Sequence, residues 1–158
     1  MRVYLASRYS RRAELQEVRK LLVKHNIEVT SRWLTQDHTL PDAKSTEAAK
    51  DEIPIEARRY AQDDLQDVVS CDVLVLFSER ADTQVRRGGS HVEFGFALGK
   101  GKKVVICGPR ANVFHTLVEV IQCRDLAELC LVLKELERTY FPAIPNRRQP
   151  RRERSTTG

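Results

Sequence analysis

Asp72 is followed by Val-Leu-Val-Leu-Phe, five residues without one polar side chain. A strand with one wet face alternates apolar and polar residues, so a run that is apolar throughout must be covered on both faces. That requirement places a parallel sheet between layers of helix. The rest of the chain supplies the partners. Residues 3–6 and 104–107 are short apolar runs, the second punctuated by Gly108-Pro109. Residues 27–33 are β-branched and aromatic enough for a further strand, and 121–123 form a weak fifth. Between them the pattern turns helical. Leu15, Val18, Leu21 and Leu22 share a face behind Ser10, a candidate N-cap. Helices are also predicted over 55–69, from Ser90 as N-cap to about 98 with Gly99 and Gly101 closing it, and over 113–120. Asp125, with Glu128 three residues on, opens a last helix to about 140. The alternation predicts a flavodoxin-like, doubly wound, five-stranded parallel α/β sheet of order 2-1-3-4-5. Two polar stretches, 34–52 and 78–89, read as loops, and the first has the length of a functional lid.

In that strand order the switch point lies between strands 1 and 3, and ligands bind outside the carboxyl ends there. Residues 7–12 and 78–93 should therefore face one another across a crevice. Its richest stretch is Arg86-Arg87-Gly88-Gly89-Ser90-His91-Val92-Glu93-Phe94-Gly95. Gly88 and Gly89 let backbone approach a ligand, and the N–H groups at the following helix start suit a phosphate or hydroxyl. Glu93 is expected on the first helical turn, pointing back toward the loop. Favour for the helix dipole would explain an acid there, but not the glycines or the location. Asp64, on the helix before strand 3, is the second carboxylate of interest, whereas Asp67 reads as an ordinary exposed acid. Two carboxyls in different environments can divide the cleavage of a glycosidic bond: one stabilises the cation-like sugar, the other assists the departing group. Glu93 takes the first role and Asp64 the second. Trp33 could stack on a base at the rim or simply cover the core.

Composition excludes several other classes. No apolar run approaches the ~20 residues of a membrane span, and Met1-Arg2-Val3-Tyr4 reads into a strand rather than a leader, so a cytoplasmic protein without membrane contact is expected. Cys71, Cys107, Cys123 and Cys130 form no CxxC pair and have apolar neighbours, which suits buried reduced thiols. His91-Val92-Glu93 has the H-x-E form of zinc deaminases, but their P-C-x-x-C is missing, so no metal is expected. Neither a GxGxxG fingerprint nor a Walker lysine is present, and no cofactor is expected. The net charge is +5, of which residues 141–158 carry +4 through five arginines and one acid. That stretch reads as a basic, disordered tail outside a domain spanning 1–140. It could touch nucleic acid, although a solvated appendage is the plainer reading.

Several of these segments together carry a resemblance. Val3-Tyr4-Leu5-Ala6-Ser7, then Asp64-Leu65 before Cys71-Asp72-Val73-Leu74-Val75, then Gly88-Gly89 through Glu93-Phe94-Gly95 before Gly99-Lys100-Gly101, are similar to the nucleoside 2-deoxyribosyltransferase family, which includes the 2'-deoxynucleoside 5'-monophosphate N-hydrolases. The resemblance runs over roughly residues 2–123. It implies Glu93 as catalytic carboxylate, Asp64 on the base side, and Tyr4 as a hydrogen-bond partner of the catalytic acid. It further implies that Ser7, Arg8, Ser10 and Arg11 line the sugar or phosphate beside Gly88, Gly89 and Ser90. A homodimer is implied too, with His115 of one subunit completing the other's site. The first loop, Ala6-Ser7-Arg8-Tyr9-Ser10-Arg11, departs from the Gly-Ser-Ile-Arg-Gly-Gly type of the hydrolases. Arg87 stands where relatives carry an acid or a serine, and a cation there would pair with a 5'-phosphate. The expected activity is cleavage, by hydrolysis or transfer, of the N-glycosidic bond of a nucleoside 5'-monophosphate or 2'-deoxynucleoside. The alternatives are a deoxyribosyltransferase acting on free nucleosides, a phosphoribohydrolase lacking its usual Pro-Gly-Gly-x-Gly-Thr, and a non-catalytic nucleotide sensor.

Overall fold

The computed structural model describes residues 1–36, 55–79 and 88–142. Most of both polar loops, Arg87 among them, and nearly all of the basic tail lie outside the described residues. Five parallel strands form one sheet of order β2-β1-β3-β4-β5, as the sequence predicts: β1 (Arg2–Ala6), β2 (Glu28–Val29), β3 (Val73–Phe77), β4 (Lys103–Cys107) and β5 (Val120–Cys123). Helices α1 (Arg12–Lys24), α2 (Ile55–Ser70), α3 (Gly89–Gly99) and α4 (Leu126–Tyr140) flank it. All five residues of β3 are buried, as expected of a central strand with helices on both faces. Among the described residues, no helix is long and apolar enough to cross a membrane.

Strand alternation sorts the core into two halves. Tyr4 and Ala6 of β1 pair in register with Leu74 and Leu76 of β3 and face one side of the sheet. Leu5 pairs with Val75 and faces the other. All six are buried at no more than 1% exposure, so neither side of the sheet is wet at its centre.

Local chemistry corrects several predicted boundaries. Ser10 does not cap α1; it lies in a short 3₁₀ turn (Tyr9–Arg11), and Arg11 is the N-cap, without a side-chain bond. The predicted strand over 27–33 is cut to two residues. As an edge strand β2 pairs only with β1, and the chain then winds into a 3₁₀ turn (Arg32–Leu34). Two bonds draw it inward: the Trp33 indole N–H donates to the Leu5 carbonyl at 2.9 Å, and the Arg32 backbone N–H donates to Asp67 at 2.8 Å. Trp33 is thus a core residue, 6% exposed, and not a stacking platform at the rim. The predicted helix over 113–120 is a single 3₁₀ turn (Val113–Thr116), capped when Asn112 accepts from the Phe114 N–H. The start of α4 follows its signal closely. Asp125 accepts from the Glu128 N–H, and the Glu128 carboxylate accepts from the Arg124 N–H.

Candidate active site

β1, α2 and α3 pack together on one side of the sheet and bring Tyr4, Asp64 and Glu93 into one cluster. The Tyr4 side chain is fully buried, and its hydroxyl stays protonated well above the ordinary 10. Burial is the main cause, followed by the charges of Glu93 and Asp64. Both carboxyls are also pushed upward. Glu93 rises from 4.5 to about 8, first by burial and then by repulsion from Asp64, with Tyr4 opposing. Asp64 rises from 3.8 to about 7, first by burial, then by Asp67 and Asp63, with Tyr4 and Arg32 opposing. Groups this close titrate as a pair, so the cluster as a whole retains a proton into the neutral range. A little of Glu93 reaches solvent; the protein packed around its carboxyl governs the acidity.

The Tyr4 hydroxyl and one Asp64 oxygen are buried without a hydrogen bond of full geometry among the described residues. The hydroxyl is nevertheless near enough to hold both carboxyls down in pKa. Unsatisfied buried polar atoms are costly and uncommon, and here they gather beside Glu93.

Glu93 stands two positions further along its helix than its sequence suggests. α3 begins at Gly89 with Gly88 as N-cap, and its first turn holds no acid. The helix dipole therefore does not account for Glu93. Ser90 is not the cap but lies inside the first turn, and no side chain caps α3 among the described residues. Gly88 has an ordinary φ of −71°, and among the described residues a Cβ on Gly88 or Gly89 would meet nothing within 4 Å.

The remaining predicted residues divide. Ser7 lies at the β1–β3 junction, with its hydroxyl 3.4 Å from the Phe77 carbonyl as donor. Arg8 pairs with Glu79 at 2.9 Å. Arg11 turns away from the carboxyl cluster: it donates to Glu14 and to the Phe77 carbonyl, and its guanidinium stands 5.7 Å from the Phe77 ring centroid. Ser10 is exposed. His115 points into its own core, 1% exposed, against the Phe94 and His91 rings at centroid distances of 5.2 and 5.6 Å. Val113 and Phe114 of that turn face outward, 76% and 60% exposed.

A second arrangement was not legible beforehand. Asp67, read as an exposed acid, is 5% exposed and accepts from both the Arg32 backbone N–H and side chain at 2.8 and 2.7 Å. Arg32 also bridges to Asp63, one turn earlier on α2, at 3.1 Å. One guanidinium thus fixes the α2 turns on either side of Asp64. The i, i+4 spacing of Asp63 and Asp67 was the available signal; their partner, 31 and 35 residues away, was not.

No protein-family model matches the chain, and none of the curated proteins does. Among solved structures, it is similar to the Clostridium botulinum CMP N-glycosidase BcmB, with a TM-score of 0.52 and 19% sequence identity. The likeness covers 85% of this chain and 99% of that one, and at this identity it establishes a shared fold.

Proposed function

We propose that the chain is an N-glycosidase-like enzyme that breaks the bond between base and sugar in a nucleoside 5'-monophosphate or 2'-deoxynucleoside. The observation that carries this reading is the buried Tyr4–Asp64–Glu93 cluster, whose two carboxyls keep a proton near neutral pH. Glycosidic cleavage needs one ionised oxygen at the anomeric carbon and one acid for the leaving group, and a proton-sharing pair can present both. Glu93 serves as nucleophile or electrostatic partner of the cation-like sugar. Asp64 holds the base and passes it a proton. Tyr4, kept protonated by its burial, donates to the carboxylate that is charged at each stage. The shared fold of a CMP N-glycosidase supports a nucleotide substrate. The uncapped, open start of α3 at Gly88, Gly89 and Ser90 would receive a phosphate on its N–H groups. Arg87, just before them in sequence, would add a charge-assisted contact, and Ser7 and Arg8 would close the opposite wall.

The active unit is a homodimer on this reading. Val92 of α3 is 64% exposed, and Val113, Phe114 and Val118 are 76%, 60% and 95% exposed. The 3₁₀ turn carrying Val113 and Phe114 packs on α3 through His115. Apolar side chains grouped beside a site and left in water suit a partner subunit. His115 then supports the interface from within, and Phe114 makes the contact. Turnover on this reading does not need the basic tail, residues 141–158. Hydrolysis and transfer separate in one assay: the enzyme is given a nucleotide with and without a second free base. A new nucleotide means transfer, and sugar phosphate alone means hydrolysis. A chain that binds nucleotide and releases no base is a sensor, and the enzymatic reading is then wrong.

A further inference from the structure

Two thiols meet on the face of the sheet opposite Tyr4. Cys107 ends β4, Cys123 ends β5, and the two are register partners. Partners in adjacent strands send their side chains to the same side. Strand spacing of about 4.8 Å lies within the Cα separation a disulfide can span, about 4.4–6.8 Å. Cys123 is fully buried, whereas Cys107 is on the wall of a cavity of about 600 Å³ lined also by Arg11, Glu14, Phe77 and Asp125. The single S–H of Cys123 is within reach of the Ile106 carbonyl at 3.4 Å and of the Cys107 sulfur. That contact is the main influence lowering the Cys107 pKa; burial opposes it, and the Arg11 guanidinium assists. Cys71, by contrast, is pushed up to about 11 by burial. Position is fixed as well. The Cys107 carbonyl accepts from the Ser78 N–H, and Gly108 follows at φ 118°, where a Cβ would come within 2.8 Å of the Ser78 carbonyl oxygen. The end of β4 therefore holds the Cys107 sulfur beside its partner.

We infer that Cys107 and Cys123 form a peroxide-reactive dithiol that closes reversibly to a disulfide across the β4–β5 edge. The Cys107 thiolate attacks one oxygen of hydrogen peroxide and breaks the O–O bond. It becomes the sulfenic acid, and the other oxygen leaves as hydroxide and takes a proton to become water. The Cys123 sulfur then attacks the Cys107 sulfur. The S–O bond breaks, and the departing hydroxide takes the Cys123 proton as a second water. The two thiols lose two electrons, and the peroxide gains them. Arg11 holds negative charge at the attacking sulfur, and the cavity admits the oxidant. This inference is independent of the Tyr4–Asp64–Glu93 chemistry, which lies on the other side of the sheet.

The test uses the full-length wild-type chain, treated with one equivalent of hydrogen peroxide, alkylated under denaturing conditions and mapped by peptide mass spectrometry. Cys107 and Cys123 should become protected together as a linked peptide pair at least about tenfold faster than Cys71 is lost, and dithiothreitol should restore both. In Cys123→Ser, whose hydroxyl keeps a donor beside the sulfur, dimedone should capture Cys107 as the sulfenic acid. Oxidation of Cys107 no faster than Cys71 would overturn the inference. So would linkage through Cys130 or between chains instead. Because the wild-type map alone decides between these outcomes, a variant that fails to fold leaves the test intact.

Discussion

Replacing Glu93 with glutamine should stabilise the protein, and by an amount that depends on pH. In the unfolded chain Glu93 gives up its proton near 4.5; in the folded one it keeps it to about 8. Between those values the native state binds more protons than the unfolded state, so native stability falls as pH rises. At 1.36 kcal/mol per pH unit, the stretch from 4.5 to 7 costs the wild type about 3 kcal/mol. A glutamine cannot ionise and escapes that cost, the part that comes from repulsion by Asp64 included. The assay is urea unfolding at several pH values between 5 and 8, followed by the fluorescence of Trp33, the sole tryptophan and a buried one. The stability gap between Glu93→Gln and wild type should widen with rising pH and level off above about 8. The slope is the readout, since the amide adds only a constant offset. A gap that stays flat from pH 5 to 8 would refute a buried, proton-retaining Glu93.

Three further outcomes follow from the same geometry. Arg32→Ala leaves Asp67 buried without its cation and should lower stability by about 2–3 kcal/mol in the same urea assay, while slowing turnover through Asp64. Arg87→Ser should weaken binding of a 5'-monophosphate by roughly ten- to a hundredfold, measured by calorimetry, and leave the matching nucleoside nearly unaffected. Phe114→Asp should shift the protein toward monomer in sedimentation without loss of fold, because that side chain is 60% exposed in the single chain.

The sheet was legible because β3 is apolar throughout, which demanded cover on both faces, and because strands and helices alternate along the chain, which pointed to the doubly wound order. Glu93 followed from the order, since the loops after β1 and β3 must face each other at the switch point; Asp64 gained its role as the second carboxylate that glycosidic cleavage needs, and Tyr4 was implied by the family resemblance alone. Elements held by distant partners were not legible. Residues 27–33 have strand composition, yet the Trp33–Leu5 and Arg32–Asp67 bonds wind the chain after Val29. Asp67 looks like any helical acid until Arg32, 35 residues earlier, is brought beside it. Ser10 and Ser90 carry good capping chemistry, but a 3₁₀ turn at one and Gly88 at the other start the helices elsewhere. That shift moves Glu93 out of the first turn and removes the electrostatic explanation that competed with a functional one.

The most direct measurement is base release from a panel of nucleoside 5'-monophosphates and nucleosides, CMP and its deoxy counterpart included, with wild type and Glu93→Gln side by side. Wild type should liberate free base from at least one member of the panel. Glu93→Gln, folded and no less stable, should do so at least about a thousandfold more slowly. No base from any substrate, or release by Glu93→Gln at the wild-type rate, would contradict an active site built on Glu93.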